Sequence, residues 1–333
     1  MKHALLLLSL LAVPCVVTSC KDDNTAAQST STTTVLSLNN LCKLLKYSGY
    51  SDKGIYIFRA GYEGDTATLE NLKDRYHIGI YCKGAAAAWN KELVMQCLIK
   101  GANVSHGLEG AAMGGHKELV QLMLDKGAEP NSGRLGAALG GHVDILQLMF
   151  DKGAYLPGSG SRMWFRWRGL EGAALGGHMD IVQLLLKKGD DTYNRGLRGA
   201  AEGGHMDIVQ LLLDKDANPD WGLEGAARGG HMEIVQLMLD KGAHPTRGLE
   251  GAARGGHMDI VQLMLDKGAD PKYTLDDAAR GGHMKIVKLL LDKGATNLDS
   301  ALEEAERRGH TDCAKLIRTA MMKESSDKKT YYY

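Results

Sequence analysis

The chain has 333 residues, with 40 basic and 40 acidic side chains and a formal net charge of zero. That balance argues against nucleic acid as a partner, because phosphate binding leaves a basic surplus or stripe. Hydrophobic residues at 44% suit a folded protein, while 42 glycines against 3 phenylalanines point to a repeated motif.

The chain opens "MKHALLLLSLLAVPCVVTSCKDDN". Lys2 gives a basic start, and the apolar run from Ala4 to Val17 is about fourteen residues, short of the roughly 20 a spanning helix needs. Residues 1–19 are therefore expected to be an export signal. Val17-Thr18-Ser19-Cys20 resembles the lipobox of bacterial lipoproteins, which implies a lipid on Cys20. Lys21-Asp22-Asp23-Asn24 resembles the acidic signal that sends some lipoproteins to the cell surface. The implied location is the outer membrane or cell surface, with secretion as the alternative; a plain cleaved signal with a chance cysteine stays open. Residues 20–53 form the lipidated cysteine, a tether without apolar period ("KDDNTAAQSTSTTT"), and a lead-in. Beyond Cys20, Cys42, Cys82, Cys97 and Cys313 have no tight spacing, so neither a disulfide framework nor a zinc site is expected. Cys82 and Cys97 fall on two helices of one unit, as small buried residues.

A Gly-His pair then recurs, ending at His116, His142, His178, His205, His231, His257, His283 and His310. Successive gaps are 26, 36, 27, 26, 26, 26 and 27 residues. A fixed period of this size predicts a solenoid in which each unit touches mainly its neighbours. In "HMEIVQLMLDKG", Ile234, Val235, Leu237, Met238 and Leu239 form a helical apolar stripe. Glu233 and Lys241 match the helix dipole at the two ends, and Gly242 is the expected left-handed stop. Leu223, Ala226 and Ala227 give a second, shorter helix ended by Gly229 and Gly230. At roughly 1.5 kcal/mol per residue, ordering one unit costs about 40 kcal/mol, equivalent to about 1,600 Å² of buried apolar surface. A lone helix pair cannot bury that much; a pair between two neighbours can. A glycine inside each short helix (Gly110, Gly136, Gly172, Gly199, Gly225, Gly251) points to close approach between neighbouring short helices.

The consensus A-A-x-G-G-H-x-D/E-I-V-x-L-L/M-L-D-K-G-A resembles the second half of the ankyrin repeat. Ankyrin repeats run about 33 residues, whereas these are mostly 26. The missing residues fall between Gly242 and Leu249, where the family carries its β-hairpin and a Thr-Pro-Leu-His helix start; here the latter has become Arg247-Gly248-Leu249-Glu250. The resemblance implies an all-α, ankyrin-like helix-turn-helix solenoid of about ten repeats over residues 54–320, with short turns in place of hairpins. "GAAAAWNKELVMQCLIKGAN" from Gly84 extends it backward, "RAGYEGDTATLENLKDR" is a divergent first unit, and "SALEEAERRGHTDCAKLIR" a polar cap. Residues 321–333 are expected to be a polar tail.

Candidate chemistry is sparse. Eight histidines at one repeat position invite a metal reading, yet translation-related side chains on helices about 8–10 Å apart point in parallel, while zinc ligands must converge at about 2.0–2.1 Å. Neutral rings hydrogen-bonded within the turn are expected instead, with no metal and no cofactor. No nucleophile elbow, phosphate loop or HExxH occurs, and acid pairs such as Asp276 and Asp277 fit helix starts, so no enzyme is expected. Glu224 and Arg228, and Glu250 and Arg254, stand at i, i+4 in the favourable order. The resemblance implies a concave face lined by the short helices. After Ala-Ala, that face reads Met113, Leu139, Leu175, Glu202, Arg228, Arg254 and Arg280, turning from apolar to charged.

The 36-residue gap carries an insertion near 156–168, "LPGSGSRMWFRWR", with Trp164, Phe165 and Trp167 among arginines. Its composition fits a binding hot spot, a loop folding its aromatics onto its own repeats, or contact with nucleic acid or a membrane surface; these readings stay open, though the neutral overall charge weighs against nucleic acid. Met113, Leu139, Leu175, Trp164, Phe165, Trp167, Arg228 and Arg254 are thus the candidate partner contacts. The expected protein is a monomeric recognition module, held to a membrane only through its lipid. The rivals are a secreted or intracellular adaptor or effector, and a histidine-ladder metal binder.

Overall fold

The structure, a computed structural model, describes residues 38–47, 51–155 and 169–330. The expected signal segment, Cys20, the tether, the aromatic insertion with Trp164, Phe165 and Trp167, and Tyr331–Tyr333 lie outside the described residues.

Helix α1 (Leu38–Tyr47) precedes ten helix pairs. The first five are α2 (Asp52–Glu63) with α3 (Thr66–Asn71), α4 (Arg75–Ala87) with α5 (Lys91–Ile99), α6 (Val104–Gly114) with α7 (Lys117–Asp125), α8 (Pro130–Gly140) with α9 (Val143–Asp151), and α10 (Gly169–Leu175) with α11 (Met179–Lys187). The second five are α12 (Tyr193–Gly203) with α13 (Met206–Leu213), α14 (Pro219–Gly229) with α15 (Met232–Asp240), α16 (Pro245–Gly255) with α17 (Met258–Asp266), α18 (Leu275–Gly281) with α19 (Met284–Asp292), and α20 (Leu298–Arg308) with α21 (Thr311–Thr330). Even-numbered helices pack neighbour on neighbour from α2 to α20 and form the inner row of a solenoid. No strand occurs among the described residues, and α15 passes to α16 through only residues 241–244. Short turns have replaced the hairpins.

Local chemistry sets each boundary. At α14, the Asn218 side chain accepts from the Asp220 N–H, and Pro219 stands at the first helical position, where its missing N–H costs nothing. Gly230 closes the helix at φ 82°, a left-handed cap open to glycine without a Cβ penalty. Gly242 ends the outer helix at φ 85°. The equivalent of Gly242 one unit earlier is Asp216, at φ 59°. Leu223, Ala226, Ala227, Ile234, Val235 and Met238 are buried, while Leu237 and Leu239 pack half-buried around them. The pattern recurs unit after unit and yields one continuous core from Leu41 to Ile317.

The inner row is tightly packed because of its glycines. A Cβ built on Gly225 would overlap the Arg198 carbonyl oxygen of the preceding unit. The stack also runs past the insertion: α10 packs on α8, and His178 reaches the Leu139 carbonyl at 3.3 Å. Cys82 and Cys97 are free, buried thiols that meet between α4 and α5. The expected polar tail is helical as far as Thr330, since no glycine or proline interrupts α21. Among the described residues no helix is long and apolar enough to cross a membrane.

Candidate partner-binding surface

The inner row from α10 to α20 carries a ladder of opposite charges that crosses repeat boundaries. Glu171 on α10 pairs with Arg198 on α12, whose Nη1 is also 3.8 Å from Glu224 Oε1 on α14. Arg228 Nη2 donates to Glu224 at 2.8 Å, and its Nη1 lies 3.4 Å from Glu202 back on α12. Arg254 on α16 donates through Nε to Asp277 on α18 at 2.9 Å. Arg280 Nε donates onward to Glu304 on α20 at 3.2 Å. At the other end, Lys83 Nζ on α4 pairs with Glu109 Oε2 on α6 at 2.7 Å. Ion pairs this sheltered add little net stability, because desolvation offsets attraction. Breaking one is costly, so the ladder fixes which side chains can face a partner.

Glu202 has the deepest side chain of the ladder, 3% exposed, and its Oε1 has no hydrogen-bond partner. Burial pushes its carboxyl up to about 7 against the pull of Arg228 and Arg198. Next to it, the Arg198 guanidinium lies 5.3 Å from the Trp221 ring centroid, within cation–π range. Arg198, Asn218, Asp220, Trp221, Glu224 and Arg247 line a cavity of about 210 Å³.

The candidate contacts separate clearly. Met113 and Leu139 are 2% and 1% exposed and belong to the core. The expectation that they present an apolar surface is corrected: both side chains turn into the continuous core, where Leu139 packs against Gly172 of α10 in the next unit. Leu175 is half-buried, as are Arg228 and Arg254. The Glu224–Arg228 pair forms as expected, but Arg254 turns to Asp277 of the next unit, and Glu250 takes Arg247 at 3.0 Å. Lateral neighbours 23 residues away are closer to Arg254 than its own helix face provides.

The histidines hold the units together. His231 Nε2–H donates to the Glu202 carbonyl at 3.1 Å, His257 to Arg228 at 3.1 Å, and His283 to Arg254 at 3.1 Å. These bonds cross to the preceding unit and are not confined to the turn, which corrects the expectation. A carbonyl only accepts, so Nε2 carries a proton in each of these bonds. Burial lowers the His142 and His178 values below the ordinary 6.5. Among the described residues no group of three His, Cys, Asp or Glu side chains is placed to hold a metal ion.

Glu171, Arg198, Glu304 and Trp221 were not singled out from the sequence, and Asp277 was read only as a helix-start acid. For Glu171 and Arg198 the signal was the alternation Glu171, Arg198, Glu224 at one repeat position, meaningful only once neighbouring units are known to pack side by side. A family model described as ankyrin repeats, in 3 copies, matches residues 170–249, 197–274 and 249–327. No curated protein matches the chain. Residues 170–327 are thus similar to ankyrin repeats and lie in an all-helical solenoid of helix pairs that begins well before them.

Proposed function

We propose that this chain is a non-enzymatic protein-recognition module, monomeric, that binds a protein partner along the inner helices. Ankyrin repeats are a protein–protein interaction fold. The observation that carries the reading is the inner row itself, where four units contribute a half-buried side chain at one repeat position: Leu175, Arg228, Arg254 and Arg280. Arg254 and Arg280 are about a third exposed beyond their ion pairs, so a partner meets guanidinium edges held at fixed spacing. Fixed charges of this kind select partners more than they add affinity. Aromatic Trp164, Phe165 and Trp167, with their arginines, extend the surface in this reading. No cofactor and no nucleic acid enter it.

The module is displayed from a membrane by a lipid on Cys20, with a secreted or intracellular adaptor as the alternative. Two experiments address these points. Affinity capture with residues 21–333 as bait should retain a stoichiometric protein that is lost with Arg228→Glu and Arg254→Glu; retention by both variants would move the site elsewhere. Metabolic labelling with a palmitate analogue should mark the wild type and spare Cys20→Ala. Equal labelling of both would remove the anchor.

A further inference from the structure

Helix α1 stands outside the repeat period, yet it is docked. Leu41, Cys42 and Leu45 are 2%, 9% and 1% exposed and join the continuous core. The helix packs against α2, where Arg59 donates to Asn39 Oδ1 at 2.9 Å, and it packs against α8 as well. Helices α2 and α8 are the first and fourth of the inner row, so α1 bridges units that are not neighbours in the stack.

Met113 on α6 and Leu139 on α8 belong to the units between and at these two contacts, and Leu139 also packs against Gly172 of α10. Their counterparts Leu175, Arg228, Arg254 and Arg280 are half-buried, whereas these two are closed off. Glu202 is also closed off, but there the cover comes from Arg228 and Arg198. The amino-terminal units have no arginine at this position: it reads Ala87, Met113 and Leu139. Leu38, Leu41 and Leu45 fall at i, i+3 and i+7, the spacing with which an amphipathic helix engages a groove.

We propose that the inner face from α2 to α8 is an acceptor site for an amphipathic helix bearing leucines at this spacing, and that α1 occupies it in cis until a partner helix of the same chemistry displaces it. The proposal rests on the protein-binding reading above and specifies what that end of the surface recognises. Because α1 is joined to α2 by only residues 48–51, its effective concentration at the site is of order millimolar. A partner helix therefore competes against a strong local rival, and weakening α1 should open the site.

The test is a titration of a fluorescent peptide of residues 35–50, VLSLNNLCKLLKYSGY, into the full chain and into the full chain carrying Leu41→Asp and Leu45→Asp, read by anisotropy. Saturable binding is expected to the variant, at least tenfold weaker binding to the wild type, and none when the peptide carries the same two substitutions. Circular dichroism establishes that the variant keeps the wild-type helicity; if it does not, Leu41→Ala with Leu45→Ala replaces it. A folded variant that does not bind the peptide, or a wild type that binds it equally well, overturns the proposal. Such a failure leaves the recognition reading standing, because the capture experiment above reports on the charged units α10 to α20.

Discussion

His231 donates its Nε2–H to the Glu202 backbone carbonyl oxygen, 3.1 Å away and one unit earlier in the chain. The bond ties the start of one outer helix to the end of the previous inner helix. His231→Ala leaves that half-buried carbonyl without its donor, a loss of about 1–3 kcal/mol. At about 2–4 °C per kcal/mol for a chain of this size, thermal denaturation should show a fall of several degrees. An unchanged melting temperature would make the bond incidental.

Two glycines of one unit separate space from backbone conformation. Gly225→Ala places a methyl into the Arg198 carbonyl and should cost about 1–3 kcal/mol through forced displacement. Gly242 has nothing within 4 Å of its missing Cβ, but sits at φ 85°, so Gly242→Ala should cost only about 1 kcal/mol. Chemical denaturation of both variants checks the order; a reversed order contradicts the close-approach explanation.

Asp216 is the mirror of that experiment. It takes φ 59° at a position where other units have glycine, and left-handed backbone costs a non-glycine residue roughly 1 kcal/mol. Asp216→Gly should therefore raise the unfolding free energy by up to that amount. A lowered denaturation midpoint would show that the aspartate side chain contributes more than the strain removes.

Glu202 should make the fold weaken as pH rises. Its folded value is raised from 4.5 to about 7, so its contribution is present in full below pH 4.5 and is lost as pH climbs through 7. Glu202→Gln removes this dependence and should stabilise the chain at pH 8 by up to about 3 kcal/mol, less the cost of losing the Arg228 contact. No gain at pH 8 relative to pH 5 would contradict the assignment.

The buried histidines act with the opposite sign. His142 and His178 are held below their ordinary 6.5, so the unfolded chain takes protons first and stability falls as pH drops below 6.5. The two effects oppose one another between pH 4.5 and 7. In the Glu202→Gln background, melting temperature should fall on acidification from pH 7.5 to 5.5, and fall less when His142→Gln and His178→Gln are added. Identical slopes with and without the histidines would place the acid sensitivity elsewhere.

The helix pairs, their short turns, the Gly225 approach and the Gly242 stop were legible in the sequence because each is local or repeats in register. The repeat position of Arg228 and Arg254 was legible too, though Arg254's partner was not. Asp277 lies 23 residues on, and only side-by-side packing brings it nearer than Glu250. Met113 and Leu139 were misplaced for a different reason. Both side chains are buried in the continuous core, Leu139 against Gly172 of the next unit, and the repeat position alone does not say whether a side chain there turns inward or outward. The histidine bonds were misplaced by one unit because a ring at a helix start can reach its own turn or its neighbour, and spacing alone does not choose.

The most direct measurement is the circular dichroism and sedimentation of residues 219–268, two central units spanning α14 to α17, beside the whole chain. If neighbours supply each unit's core, this fragment should be largely unfolded at 25 °C while the whole chain is helical and melts cooperatively. A monomeric fragment that melts in a sharp transition would show that single pairs hold themselves, and would remove the stacked surface from the account.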